Sequence, residues 1–92
     1  MIGVIRHNKV DQVGVAVTDV QKGETVEGWT MEDDSTSTVT ARQDIPLGHK
    51  IALSSRKKGE EVIKYGVSIG IASDSFEVGD HVHTHNLKTT RW

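Results

Sequence analysis

The sequence contains no cysteine, few aromatic residues and a single proline, and this composition limits the classes of protein to which it can belong. The lack of cysteine excludes disulfides, zinc–thiolate sites and iron–sulfur clusters anchored in this chain. Aromatic residues make up 4% of the chain and there is one proline. The core must therefore be built from Val, Ile, Leu and Ala. A cytoplasmic location is the simplest expectation for such a cysteine-free chain.

The sequence also lacks an excess of basic residues and a long apolar run. Its net charge is −2 and its pI is about 6.2, which argues against nucleic acid and anionic membranes as partners. No apolar run approaches the roughly 20 residues that span a bilayer, and residues 1–7 are too short and mixed for a signal peptide. The 92 residues suit one domain, 1–92, whose modest core would benefit from a partner surface.

Alternation of apolar and polar or small residues with period two is the dominant pattern, and it predicts an all-β fold. The alternating residues are Val13, Val15 and Val17; Ile51 and Leu53; Val67, Ile69 and Ile71; and Val82 and Thr84. Short strands separated by glycine-bearing turns favour a compact barrel or sandwich over a βαβ fold.

A pattern of glycine, polar residue, any residue and β-branched residue occurs four times. The four copies are Gly23–Val26, Gly48–Ile51, Gly59–Val62 and Gly79–Val82. Glycine suits a turn with positive φ, so each copy predicts a turn that leads into a buried strand. Pro46 presets the turn before the second copy.

Residues 29–38 are polar and acidic, which predicts an exposed loop. The triplet Glu32, Asp33 and Asp34 could attract a divalent cation. Charged runs in loops are usually only solvated, and we expect no metal there.

The segment His81–Asn86 holds three histidines within five residues. On a β-strand, His81, His83 and His85 would share one face at intervals of roughly 6.6 Å. Two of them can converge on a metal that bonds nitrogen at about 2.1 Å, but a straight strand cannot easily bring all three onto one ion. Neutral imidazole also suits acid–base chemistry. The alternative is a solvated edge strand.

Two shorter segments are weaker candidates. His49 and Lys50 follow the proline-preset turn and could bind an anion, although a plain surface turn is the simpler interpretation. Tyr65 follows an apolar pair, and packing with its hydroxyl at the rim is the simpler interpretation there. No nucleophile elbow, P-loop or dinucleotide fingerprint is present. A complete active site is therefore hard to assemble from this chain alone.

Three blocks resemble, in order and spacing, the N-terminal SAF-type domain of the altronate dehydratase family. They are Ile45–Leu53, Val62–Gly66 with Ile69–Gly70, and Gly79–Leu87. The resemblance implies a β-clip fold of short strands and metal-dependent elimination from a 2-hydroxy acid. It also implies a divalent metal, expected to be Fe²⁺, held largely by a much larger lyase subunit that would be the partner of this chain. A homo-oligomer is compatible with these expectations.

The resemblance also implies roles for individual residues. It assigns His49, His83 and His85 as catalytic, with the last two also as metal ligands. It further assigns substrate contacts, which are Lys50, Lys64, Tyr65 and Asn86. His81 is the histidine of the segment that it does not include.

Two features favour one branch of that family, the lyases that act on (2R)-sulfolactate, in which this domain is a separate small subunit. The chain stops soon after the histidine segment, and residues 28–29 are followed by an acidic insertion. The predicted function is thus the small subunit of a lyase that releases sulfite from (2R)-sulfolactate, or water from altronate- or galactarate-type sugar acids. The alternatives are a non-catalytic sugar-acid-binding module and a purely structural subunit.

Overall fold

A computed structural model describes residues 2–89, which form β-strands joined by turns. The strands are β1 Ile2–Arg6, β2 Val13–Ala16, β3 Thr25–Thr30, β4 Ser35–Thr40, β5 Lys50–Ala52, β6 Glu61–Lys64, β7 Val67–Ala72, β8 His81–Val82 and β9 Leu87–Thr89. No helix occurs among these residues, so the all-β prediction is confirmed. Within the same residues, nothing forms an apolar helix long enough to span a bilayer.

The strands form two sheets, a six-stranded sheet with the order β4-β3-β1-β2-β5-β8 and a three-stranded sheet with the order β6-β7-β9. Only the β1–β3 pairing is parallel among the described pairs. Two apolar clusters form the core, and β5 lies between them: Ile51 belongs to one cluster and Ala52 to the other. Successive side chains of a strand point to opposite faces, which is why one short strand serves both clusters.

The four glycine turns that the sequence predicted are all present. Gly23, Gly48, Gly59 and Gly79 have φ values of 87°, 86°, 93° and 94°. The β-branched residue three positions later is buried each time; these residues are Val26, Ile51, Val62 and Val82. The prediction is confirmed because positive φ is costly for any residue with a Cβ atom.

Each glycine turn lies within a longer unit of eleven residues that begins at an alanine. The four units are 16–26, 41–51, 52–62 and 72–82. The turn glycine of each unit donates its N–H to the first alanine of a partner unit, at 2.7–2.8 Å, and these contacts are reciprocal. The first unit pairs with the second in this way, and the third pairs with the fourth. The chain therefore contains two pairs of similar units that are joined by reciprocal hydrogen bonds.

Residues 29–38 form a hairpin rather than the predicted loop, although residues 31–38 are exposed as expected. Strand β3 continues to Thr30 and β4 starts at Ser35, in unbroken antiparallel register. Asp34 adopts a φ of 60° in the turn, where its carboxylate accepts the Trp29 indole N–H at 2.6 Å. The serines and threonines after the acidic triplet are good strand residues, and they pair with β3 although they are solvated.

The apolar residues that alternate along β7 lie only partly inside: Ile69 is half-buried against the second core cluster, but Val67 is not. Val67 is 58% exposed, whereas Gly70 and Ala72 are buried. A Cβ atom at position 70 would overlap the Lys88 carbonyl oxygen of the neighbouring β9. The close approach of β9 therefore selects the small residues of β7 for the inner face.

The six-stranded sheet curls until its two edges meet at one point. Arg42, just after β4, donates its N–H to the Gly79 carbonyl oxygen at 2.8 Å, just before β8. A Cβ atom at position 79 would overlap the Thr40 carbonyl oxygen. Glycine is thus required here both by its φ and by the closeness of the two edges.

Candidate functional site

The histidine segment is a turn rather than a strand. Strand β8 ends at Val82, and residues 83–86 turn back towards β9. The expectation that His81, His83 and His85 lie along one face of a strand is therefore wrong. The turn removes the limit that a straight strand would impose on how many of these imidazoles can approach each other.

Asn86 closes this turn and is buried. Its Oδ1 accepts the His83 backbone N–H at 2.9 Å, and its Nδ2 donates to the His81 carbonyl oxygen at 2.8 Å. A buried amide bonded at both ends fixes the backbone that carries the two histidines. The structure thus places Asn86 behind the site as a positioning residue, while its predicted contact with substrate stays a prediction.

His81 is held from the other side by Gln43. The Gln43 Oε1 accepts the His81 backbone N–H at 2.8 Å, and its Nε2 donates to Asp80 Oδ1 at 2.8 Å. Arg42 forms an ion pair with Asp80 at 3.5 Å. The point where the two sheet edges meet therefore also fixes the first histidine of the segment.

His49 enters the site from the glycine turn before β5. In the other three turns the residue after glycine is acidic, and its carboxylate accepts the N–H three residues earlier at 2.6–3.0 Å. In the His49 turn that earlier residue is Pro46, which has no N–H to donate. The proline makes the carboxylate unnecessary, so this position is free for an imidazole.

These elements bring four imidazoles together, which we call the histidine cluster: His49, His81, His83 and His85. His49 Nδ1 lies 2.9 Å from His81 Nε2, so one of the two nitrogens carries a hydrogen and the other accepts it. The rings of His49 and His83 are stacked with centroids 4.7 Å apart. His85 is exposed and its ring lies 5.4 Å from that of His81.

Three members of the cluster have the donor set of a metal site. The candidate ligand nitrogens of His49, His81 and His83 all lie within 4.8 Å of one another. A tetrahedral metal with bonds of about 2.1 Å needs its ligand nitrogens roughly 3.4 Å apart. His83 is exposed and the other two are half-buried, so side-chain rotation can close this difference. The three imidazoles, called the histidine triad below, therefore fit a divalent transition metal, without selecting one.

The electrostatics of the triad favour the neutral form of the His81 ring. Burial lowers the pKa of His81 below its usual value, and the charges of His49, His85 and His83 lower it further. A metal binds the neutral imidazole, so crowding of like groups keeps His81 in the form that can coordinate.

The structure does not bring His49 and Lys50 to the same place. Lys50 pairs with Val82 and Ile51 pairs with His81, so Lys50 and His81 lie on opposite faces of the sheet. On its own face Lys50 is near Lys64. Burial lowers the pKa of Lys50, and the charge of Lys64 lowers it further. The predicted anion contacts of these lysines are therefore separated from the triad by the sheet.

Tyr65 lies at the tip of the β6–β7 hairpin and is 50% exposed. Its φ is 55°, and that of Gly66 is 73°, which suits a tight two-residue hairpin turn. Its ring lies 4.1 Å from that of His7, and Lys64 Nζ lies 4.8 Å from its centroid. The tyrosine is thus grouped with a different histidine from those of the cluster.

The carboxylates of the acidic triplet already have partners, which are Lys9 and residues of the same hairpin. Asp33 forms an ion pair with Lys9 at 3.1 Å and accepts the Ser35 hydroxyl at 2.7 Å. Glu32 accepts the Lys9 backbone N–H at 2.9 Å. Among residues 2–89 the triad is the only group of three histidine or acidic side chains with metal-site spacing.

Comparison with protein families identifies the chain. Residues 2–90 match the model of the altronate/galactarate dehydratase SAF domain. The chain belongs to this SAF-domain family. The predicted family is therefore confirmed, and a small all-β SAF domain agrees with the observed two-sheet fold.

Two kinds of relative share this SAF domain. The (2R)-sulfolactate sulfo-lyase subunit alpha of Chromohalobacter salexigens is 42% identical over 92 residues, covering 99% of this chain and 98% of the relative. The same-named subunit of Paracoccus pantotrophus is 55% identical over 60 residues, covering 65% of this chain and 90% of the relative. The altronate dehydratase of Bacillus subtilis is 39% identical over 89 residues, covering 97% of this chain but 17% of the relative. The chain thus spans nearly all of one kind of relative and a small part of the other.

The membership of His81 in the histidine triad is the feature that sequence reasoning missed. The strand assumption spaced the histidines evenly and gave no reason to prefer His81. The missed signal is the comparison of the four turns. Only the His49 turn replaces the acidic residue, and only the turn before His81 leads into a histidine-rich segment.

Proposed function

We propose that the SAF chain is the small subunit of a two-subunit lyase that releases sulfite from (2R)-sulfolactate. The observation that carries the proposal is the extent of the match, since the chain covers 98% of a sulfo-lyase alpha subunit at 42% identity. The word "subunit" in the name of that relative supports a second, larger chain as partner. Release of water from a sugar acid is the related reaction, supported by the 39% identity with an altronate dehydratase.

The proposed reaction is an elimination across carbons 2 and 3 of the substrate. A base takes the proton from carbon 2, and the electrons of that C–H bond form the C2–C3 double bond. The C3–S bond breaks and sulfite leaves with its electron pair. The resulting enol tautomerises to the 2-keto acid. Negative charge builds on the carboxylate as the proton leaves, so positive groups near that carboxylate lower the barrier.

The histidine triad is the proposed metal-binding part of this chain. A divalent cation held by His49, His81 and His83 would supply positive charge to the carboxylate and hydroxyl oxygens of the substrate. Asn86 and Gln43 hold the backbone of His81 in place for this purpose. Three ligands from this chain would leave the partner subunit a smaller share of the metal site than the family resemblance implied.

His85 has a different proposed role. It is exposed beside the triad and lies outside the group with metal-site spacing. A neutral imidazole in that position can accept or return a proton at near-neutral pH. We therefore assign it proton transfer. Lys50, Lys64 and Tyr65 lie away from the triad, and we assign them contacts with the partner subunit.

Co-expression with the larger lyase subunit from the same genome tests the proposal. We expect the two chains to co-purify and to release sulfite and pyruvate in equal amounts from (2R)-sulfolactate. A complex that dehydrates altronate without releasing sulfite would move the assignment to the sugar-acid branch. If no complex forms and the isolated chain binds a sugar acid in calorimetry, the binding-module alternative is correct.

Variants of the complex separate the two histidine roles. His81→Ala should lower both bound metal and turnover, whereas His85→Ala should lower turnover with the metal retained. His7→Ala is the matched control for metal content, because His7 packs against Tyr65 outside the cluster. Equal turnover for the wild type and His81→Ala, at equal metal content, would contradict the site.

A further inference from the structure

The edges of the two sheets differ in how they are protected against pairing with another strand. Within residues 2–89, β8 has two residues and β9 has three. Strand β6 carries Glu61 and Lys64, and its register shifts between Val62 and Ile63. Strand β4 is six residues long, regular, and free of charged residues, proline and glycine. Natural proteins usually blunt such an edge, so β4 is the described edge best suited to accept another strand.

The hydrogen-bonding direction of β4 follows from two contacts at its neighbours. Ala41 donates its N–H to the Glu24 carbonyl oxygen at 3.0 Å, so residue 41 bonds towards β3. Met31, which follows β3, donates its N–H to Arg6 at 2.9 Å and so bonds towards β1. Alternation then directs the backbone groups of residues 35, 37 and 39 towards β3, and those of residues 36, 38 and 40 away from it.

Only some of the backbone groups that point away from β3 are available to another strand. The Thr40 carbonyl oxygen lies against Gly79, where the two sheet edges meet. In the described part of the chain, residues 35–40 form no bond between two backbone groups outside the β3–β4 ladder, and the Ser35 N–H bonds to the Asp33 side chain. Thr36 and Thr38 therefore carry the free donors and acceptors of this edge.

We propose that two copies of this chain associate by antiparallel pairing of β4 with β4, with Ser37 of one copy opposite Ser37 of the other. In this register Thr36 of each copy lies opposite Thr38 of the other, and the two pairs exchange four backbone hydrogen bonds. A shift of two residues in one direction would require the covered Thr40. A shift in the other direction would require Asp34, whose φ of 60° is not extended.

Charge complementarity supports a second copy as the occupant. Antiparallel pairing about Ser37 places the hairpin tip of one copy, which begins at Glu32, beside Arg42 of the other. The tip carries three adjacent carboxylates, and the Arg42 side chain is 51% exposed although it pairs with Asp80. Two-fold symmetry produces this contact twice. Opposite charges at both ends fix the register of the pairing.

Sedimentation and cross-linking of the 92-residue chain test this proposal directly. We expect a concentration-dependent species of twice 10.1 kDa. The chain has no cysteine, so Ser37→Cys introduces a single thiol that lies opposite its own copy. Mild oxidation should convert it to a covalent dimer. Ser35→Cys is the matched control, because residue 35 lies opposite Val39 in this register and should cross-link far more slowly.

Edge variants test the same contact by weakening it. Thr38→Pro removes an N–H that has no partner among residues 2–89, and should shift the protein to the 10.1 kDa monomer. Thr38→Lys is the second variant in case the proline disturbs the hairpin, and Gln21→Lys is the charge control on an exposed turn. A dimer that survives Thr38→Lys overturns the proposal.

The result can also assign the edge to a different occupant. A wild-type chain that stays monomeric at its highest soluble concentration overturns self-pairing. If the β4 amides then become protected from hydrogen exchange only when the larger subunit is added, the edge belongs to that subunit. The proposal does not rest on the lyase assignment, since the mass and cross-linking measurements need neither metal nor substrate.

Discussion

At one edge of the six-stranded sheet β4 runs for six residues without a charged group, whereas at the other edge β8 stops after two and the chain turns through a histidine cluster. Both edges carry the same backbone groups, and they meet where Arg42 bonds to Gly79. The difference lies in the length of each edge strand and in the segment beyond it. A long regular edge can pair with another strand, while a short edge that ends in a turn can group side chains.

The largest expected effect comes from breaking the point where the edges meet. Gly79→Ala places a Cβ atom against the Thr40 carbonyl oxygen at a φ of 94°. We expect the free energy of unfolding to fall by about 3 kcal/mol or more. The left-handed conformation costs about 1–2 kcal/mol and overpacking costs about 1–3 kcal/mol. Urea unfolding measures the loss.

Gly59→Ala is the matched control for this substitution. Its φ is 93°, but a Cβ atom there meets open space, so only the conformational cost of about 1–2 kcal/mol applies. Equal losses for the two variants would show that the sheet edges do not press on each other at Gly79.

The next effect in size is on metal binding at the β8 edge. His81→Ala removes one of three candidate ligands. We expect the affinity of the chain for Co²⁺ or Zn²⁺ to fall about 100-fold or more, since loss of an outer-shell partner alone costs about 10–100-fold. Titration of Co²⁺ followed by visible absorption measures the change. His7→Ala should bind as the wild type does, and a similar loss there would refute the triad.

A double-mutant cycle sharpens the interpretation of the His49 turn. His49→Glu should not stabilise the chain, because Pro46 has no N–H for the new carboxylate to accept. In a Pro46→Ala background, His49→Glu should raise the free energy of unfolding by about 0.5–1.5 kcal/mol, which is the contribution of one hydrogen bond. Urea unfolding of the four proteins measures the coupling. A gain from His49→Glu with Pro46 in place would disprove the explanation.

The smallest effect concerns the hairpin tip beside β4. The Ser35 hydroxyl is the main cause of the lowered pKa of Asp33, which is about 2. A carboxyl with a lowered pKa adds stability above its unfolded value of 3.8, and that stability is lost as the pH falls towards 2. Ser35→Ala should raise the pKa of Asp33 towards 3.8, as measured by NMR titration. An unchanged pKa would show that the Ser35 hydroxyl is not its main cause, and would leave the Ser35 backbone N–H and Lys9.

Much of the fold could be predicted from local chemistry. The four glycine turns were predictable because positive φ and the buried residue three positions later depend on only a few adjacent residues. The inner face of β7 was not, since it depends on β9, which packs against Gly70 from a distant part of the sequence. The β3–β4 hairpin was missed because its threonines are solvated and carry no apolar alternation.

The site was predictable in composition but not in geometry. The sequence identified the histidine-rich segment and the turn that holds His49. The distance of 2.9 Å between His49 and His81 depends on the pairing of β5 with β8, which no local pattern reports. The family resemblance favoured His83 and His85 over His81, and the turn closed by Asn86 changes which imidazoles are near each other.

The reciprocal pairing of the eleven-residue units has a consequence for how the chain folds. Val20 and Ile45 exchange two backbone hydrogen bonds across the first pair, and Arg56 and Phe76 do so across the second. A unit without its partner leaves these groups and its apolar side chains in water, so it gains little by forming alone. Closing the loop between Val20 and Ile45 costs about as much entropy as closing the loop between Arg56 and Phe76, because that cost grows slowly with loop length. The two pairs are therefore comparable nuclei, and β5, which links the second unit to the third, is where formation of one pair promotes formation of the other.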